Sequence, residues 1–96
     1  MRPALVVSSD NIGRLPLHIV VPITDWKAAY AAFPWFVQLM PDSTNGLTKE
    51  SGADTFQIKS ISEDRFVRRL GKATNEQLAE VMKGILLCLG HTSDQS

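Results

Sequence analysis

The stretch "TNEQLAEVMKGILLCLG", from Thr74 to Gly90, constrains the fold more than any other part of the chain. Thr74 and Gln77 stand at the T-x-x-Q spacing of a capping box, in which each side chain satisfies a backbone N–H of the other residue. Leu78, Val81, Met82, Ile85, Leu86 and Leu89 then recur at i, i+3 and i+4, which gathers apolar groups along the helix. Gly90 supplies a C-cap. The spacing predicts a helix over Asn75–Leu89 whose apolar stripe must be laid on a partner, and everything before it reads as strands and turns.

Those strands can be placed one by one. "ALVVSS" at Ala4–Ser9 is short, β-branched and followed by the turn-rich "SDNIGRLP". "LHIVVPIT" at Leu17–Thr24 is mostly apolar, so both faces of this strand should be covered. Pro22 cannot donate to a ladder, which predicts an edge or bulge just before Thr24 and a backbone that turns to present the Thr24 side chain. "DWKAAYAAF" predicts one or two helical turns with Asp25 as N-cap, stopped at Pro34. "WFVQLM" at Trp35–Met40 reads as a third strand, "PDSTNGLTKESGA" as a long turn region around Asn45-Gly46, and "TFQIKSIS" as a fourth strand with one polar face. "RFVRRLG" reads as a short fifth strand after a turn at Ser62–Asp64. The expected architecture is mostly β with α: a barrel-like sheet of antiparallel strands with one C-terminal helix, a single domain over residues 1–96 with a polar tail at 91–96.

Charge narrows the partners. Ten basic and ten acidic side chains cancel, so nothing global pulls this chain toward nucleic acid or an anionic membrane, and such a role needs a local basic patch. Arg65, Arg68, Arg69 and Lys72 form one, which could track phosphates or serve only as a charged strand edge that blunts aggregation. The single Cys88 excludes an intramolecular disulfide framework and reads as a small buried hydrophobe. No apolar run approaches the roughly 20 residues that span a bilayer, and no signal-peptide pattern opens the chain, so a cytoplasmic location is expected.

Familiar catalytic sets are sparse. There is no Gly-rich phosphate loop and no metal-ligand spacing; His18, His91, Glu63 and Asp64 read as structural or solvated groups. Trp26, Tyr30, Phe33, Trp35 and Phe36 crowd one stretch and are expected mainly in the core, with Trp26 the one best able to stack a base.

The order of four strings changes this picture. "RPALVVSSD", then "IVVPIT", then "GLTKESGADTFQIKSIS", with "RLGKAT" behind it, resembles the MazF/PemK toxins, the small sequence-specific endoribonucleases of toxin–antitoxin pairs. The resemblance runs from Arg2 to the terminal helix. It implies an SH3-like small barrel, a homodimer, and a groove that takes single-stranded RNA without any cofactor or metal. It further implies that Arg2 and Thr24 are the catalytic residues, and that the ribose 2′-hydroxyl attacks its own phosphate to leave a 2′,3′-cyclic phosphate and a free 5′-hydroxyl.

That chemistry suits these residue types. Ribose supplies the nucleophile, so the protein must hold the phosphate in line and neutralise the charge that develops there. Arg2 would donate its fork of N–H groups to the phosphoryl oxygens and could protonate the leaving 5′-oxygen; its high pKa makes it a poor base. Thr24 would hydrogen-bond another oxygen. Gln57, Lys59, Ser60 and Trp26 are the expected further RNA contacts. The partner implied is a MazE-like acidic antitoxin whose disordered tail folds into the groove, with Arg65, Arg68 and Arg69 as its expected contacts.

The family pattern places a further strand and loop ahead of the Arg-Pro pair, where this sequence starts at Met1, so the resemblance implies an N-terminally truncated domain with Arg2 at a fraying end. Two other readings follow: a catalytically impaired module that only binds antitoxin or dimerises, and a gyrase-inhibiting relative on the same scaffold.

Overall fold

The computed structural model describes residues 3–9 and 15–91. Among the described residues, five strands, β1 (Ala4–Val6), β2 (Leu17–Asp25), β3 (Phe36–Leu39), β4 (Ser51–Asp54) and β5 (Lys59–Ser62), precede one α-helix, α1 (Asn75–Cys88). All strand pairs are antiparallel.

The apolar run of β2 organises the sheet. Along one edge its middle pairs with β1, with Leu5 opposite Val21. Along the other it pairs first with β5, from Leu17↔Ser62 to Val20↔Lys59, and then with β4, from Ile23↔Ala53 to Asp25↔Ser51. β3 completes the second leaflet against β4. Pro22 falls where β5 has ended and β4 has not begun. The amide of Ile23 donates to the Pro3 carbonyl on the β1 side at 3.0 Å, so by alternation the missing N–H of Pro22 faces that seam. The proline marks the point at which one strand passes from one leaflet of the small barrel to the other.

The core is aliphatic. Val21, Ile23, Leu39, Ala53, Val81 and Ile85 form its buried cluster, with Leu5, Val7, Val37, Leu47 and Ile58 packed around it. Helix α1 contributes Val81 and Ile85, each worth about 2 kcal/mol when buried, and reaches the sheet closely because Gly84 faces the buried Thr55. Its start is fixed by the capping box: Gln77 N–H donates to Thr74 Oγ1 at 3.1 Å and Thr74 N–H to Gln77 Oε1 at 2.9 Å. It ends one residue before the expected Leu89, and Gly90 follows with φ of 78°, the left-handed conformation that glycine adopts without strain. Among the described residues, no helix is long and apolar enough to cross a membrane.

Several local expectations need correction. Asp25 is not a helix N-cap: it is the last residue of β2, and the following helical turn is a 3₁₀ segment, Ala28–Ala32, with Lys27 at its N-cap. The supposed turn region contains β4, and the supposed fourth strand at Thr55–Ser62 is divided into a 3₁₀ turn, Thr55–Gln57, and β5. Asp54 causes the division, because its carboxylate accepts from Phe56 N–H at 3.2 Å and curls the chain. "RFVRRLG" forms no strand; a 3₁₀ turn at Glu63–Arg65 is followed by an exposed segment without regular structure.

The crowded aromatics also lie outside the buried core. Tyr30 stacks on Phe36 with centroids 4.0 Å apart, Phe33 on Trp35 at 5.0 Å, and Trp26 meets Tyr30 edge-on at 5.8 Å. Trp26 and Phe36 cover Gly52, where an added Cβ would lie 3.1 Å from Trp26 Cε3. Cys88 is half-buried, with Sγ 3.6 Å from Thr55 Oγ1.

Candidate functional site

The end of β2 carries Thr24 into an open groove of about 470 Å³. Pro3, Ile23, Thr24 and Asp25 line it from β2 and the residues before β1; Gly46, Leu47, Thr48, Lys49 and Ser51 line it from the turn leading into β4; Arg68 and Leu70 close it. Thr24 is half-buried and sits opposite Gly52, whose missing side chain leaves the threonine without a cross-strand neighbour at that position.

The turn wall is built by side chains that bond their own backbone. The Asp42 carboxylate accepts from the amides of Thr44 and Asn45, both at 2.8 Å, and from the Thr44 hydroxyl at 2.9 Å. These bonds, the Thr44 amide first, hold the Asp42 carboxyl below the ordinary carboxylate value of 3.8. Asn45 Oδ1 accepts from Leu47 N–H at 3.0 Å, while its amide group donates to the Met40 carbonyl at 2.8 Å. Gly46 then turns the chain with φ of 71° and brings Leu47, Thr48 and Lys49 to the groove.

Charge in the groove is partly self-compensated. Lys49 Nζ lies 3.0 Å from Asp25 Oδ2, an exposed pair beside Thr24 that holds the carboxylate against a cation. Arg68 adds a second positive charge. The arrangement suits an anion with several oxygens: a hydroxyl on one side, cations on the others, and room between them.

The residues singled out in the sequence are brought together in part. Thr24 and Arg68 share the groove, and Arg2 lies outside the described residues, one position before the groove-lining Pro3. Arg65 ends the 3₁₀ turn after β5, and Arg69 turns back to bond the Gly71 carbonyl at 3.4 Å, so neither lines the groove. Lys59 and Ser60 lie on β5 opposite Val20 and Ile19. Gln57 borders a second, apolar depression of about 380 Å³ with Phe33, Trp35, Phe36, Asp54 and Phe56, and donates to Asp54 Oδ2 at 2.9 Å. Trp26 is half-buried over Gly52, close to Thr24 in sequence but outside the groove lining. Sequence reasoning missed Thr48 and Lys49. The signal that places them is the Ser51↔Asp25 register, visible only once "SGAD" is known to be a strand.

Comparison with known proteins places the fold and the family. Residues 1–89 match the model of a family described as PemK-like, MazF-like toxin of type II toxin–antitoxin systems. The chain is 32% identical over 94 residues to the endoribonuclease MazF9 of Mycobacterium tuberculosis, covering 92% of this chain and 77% of that protein. Its fold is similar to that of the Mycobacterium tuberculosis toxin MazF-mt6, with a TM-score of 0.78 at 21% identity over 95% of this chain and 88% of that one. It is also similar to a mycobacterial endoribonuclease solved in complex with its cognate antitoxin, with a TM-score of 0.76 at 21% identity over 93% and 81% of the respective chains.

Proposed function

This chain belongs to the PemK-like, MazF-like toxin family, and from that premise we propose that it is an endoribonuclease cutting single-stranded RNA in the Thr24 groove. The observation that carries the reading is Thr24 at the end of β2, facing an open groove that also holds Arg68 and the Lys49–Asp25 pair. Thr24 is held by its place in the ladder opposite Gly52 of β4, and a strand residue holds a hydroxyl in place better than a loop does; positioning is most of what this reaction asks of a protein.

In the proposed reaction the 2′-oxygen of the ribose attacks the adjacent phosphorus as its proton passes to solvent water, from which Arg2 is reprotonated after the step. The bond from phosphorus to the 5′-oxygen breaks, and that oxygen takes up a proton. The products are a 2′,3′-cyclic phosphate and a 5′-hydroxyl, with no metal required. Thr24 Oγ1 donates to a phosphoryl oxygen and fixes the phosphate in line, while Arg2 neutralises the extra charge of the pentacoordinate state and protonates the leaving oxygen. Further contacts to bases come from Gln57, Lys59, Ser60 and Trp26.

The same reading makes the protein a cytoplasmic homodimer held inactive by an acidic antitoxin. The similar mycobacterial endoribonuclease was solved in complex with its cognate antitoxin, which supports an antitoxin as partner.

The test is incubation of the purified chain with end-labelled single-stranded RNA in excess chelator, beside Thr24→Ala and Arg2→Ala. Cleavage to cyclic-phosphate ends, lost in both variants, is the expected result. Undiminished cleavage by Thr24→Ala would overturn the site. An intact RNA together with tight antitoxin binding would make the chain a binding module, and inhibited supercoiling would make it a gyrase ligand.

A further inference from the structure

We propose that Arg68 is a phosphate-binding residue of the Thr24 groove, held there by an interlock of two glycines; the proposal rests on the ribonuclease reading. Nothing in the secondary structure around Arg68 explains its position, since the segment after the Glu63–Arg65 turn has no ladder and is exposed. Its support comes from the neighbouring turn. Gly46 lies so close to this segment that an added Cβ would meet the Leu70 carbonyl oxygen at 2.1 Å, and a Cβ on Gly71 would meet the Thr44 carbonyl oxygen at 2.3 Å. Lys72 N–H donates to that same Thr44 carbonyl at 2.7 Å. Two backbones thus pass in direct contact, and only residues without side chains permit it.

The contact sets which side chains enter the groove. Arg68 and Leu70 line the groove, while Arg69 between them donates its Nε–H to the Gly71 carbonyl two residues on. The basic run therefore divides into one groove residue and neighbours with other tasks, although its charges look alike in the sequence. Among the described residues lining the groove, Lys49 is committed to Asp25, and Arg68 is the cation that pairs with no carboxylate. A guanidinium lining the same groove as a threonine hydroxyl offers a phosphodiester donors from two separate residues for its two free oxygens.

Binding is separable from cleavage with a short fluorescein-labelled 2′-O-methyl RNA of mixed sequence, which offers phosphates but no nucleophile. Its dissociation constant is measured between about 50 and 200 mM salt for the native protein, Arg68→Ala, Arg68→Lys and Arg69→Ala. Arg68→Ala is expected to flatten the slope of log K against log salt by about 0.7, the loss of one phosphate contact on a single strand, with Arg68→Lys retaining the slope and Arg69→Ala leaving it unchanged. Equal effects of Arg68→Ala and Arg69→Ala, or no binding of the probe by the native protein, would overturn the proposal. A cleavable RNA run in parallel separates the two readings: a persistent contrast in slope without any cleavage would retain Arg68 as a phosphate ligand and remove the ribonuclease.

Discussion

Thr55 Oγ1 lies 2.8 Å from the place where a Cβ on Gly84 would stand, so α1 and the turn after β4 touch through a residue that has no side chain. The hydroxyl is held there by a 2.6 Å bond to the Trp35 carbonyl, and Thr55 is fully buried. Gly84→Ala would gain up to about 1 kcal/mol of helix propensity but would push a stiff, bonded, β-branched side chain, at about 1–3 kcal/mol. A net loss near 1 kcal/mol is expected in urea unfolding. A stabilised variant would mean that α1 shifts freely on the sheet.

Thr24→Ala should separate function from folding. The residue is half-buried and its hydroxyl is not needed by the core, so stability should change by less than about 0.5 kcal/mol. Cleavage should fall by on the order of a hundredfold or more, as for loss of one donor to a developing oxyanion. Thermal melts and RNA cleavage on the same preparation check both halves.

Gly46→Ala meets two obstacles together, a φ of 71° and the Leu70 carbonyl. Destabilisation above about 1 kcal/mol is expected, more than for Gly90→Ala, where φ is 78° and nothing stands within 4 Å. Comparing the two unfolding midpoints isolates the interlock from the backbone strain that both share.

Asp42 gives the turn an acid sensitivity. Its carboxyl is lowered from 3.8 by the Thr44 and Asn45 amides and the Thr44 hydroxyl, so near and below that value the unfolded chain binds more protons than the folded one. The stabilisation is present at pH values well above the unfolded value of 3.8 and is lost as pH falls through that value toward the lower folded one. Asp42→Asn should be the less stable protein at neutral pH, with the gap narrowing in acid. Urea midpoints for both proteins from neutral pH downward test the sign.

What the sequence revealed followed from how strongly each segment signals locally. The Thr74–Gln77 box and the apolar positions after it located α1 to within a residue, and the apolar, β-branched run of β2 made that strand legible, although the expected cover on both faces holds only from Val20 onward and Leu17 and Ile19 stay exposed. β4 was hidden for the opposite reason. "SGAD" holds no β-branched or aromatic residue, and its interior place depends on smallness: Gly52 lies under Trp26 and Phe36, and Ala53 is fully buried. Only the finished fold shows that small residues were required there. Arg68 was read as one charge among several for a similar reason, since the direction of its side chain depends on Gly46 and Gly71, one of them far from it in the chain. Thr24 is singled out by the family resemblance alone, and the groove beside it is not legible in the sequence, because the facing wall depends on the register of β4.

The passage of β2 from one leaflet to the other also bears on how the chain folds. β3 and β4 can pair as a local hairpin, but β2 must be in place before β1, β5 or β4 can use it, and its partners come from both sides in sequence. Neither leaflet has a separate route to completion, so folding should occur as one cooperative step whose rate is set by long-range pairing. Native-state hydrogen exchange should then show the amides of Val20 and Val21 opening only with the whole molecule, while those of Val67 and Arg68, exposed and ahead of the Lys72–Thr44 bond, exchange much earlier.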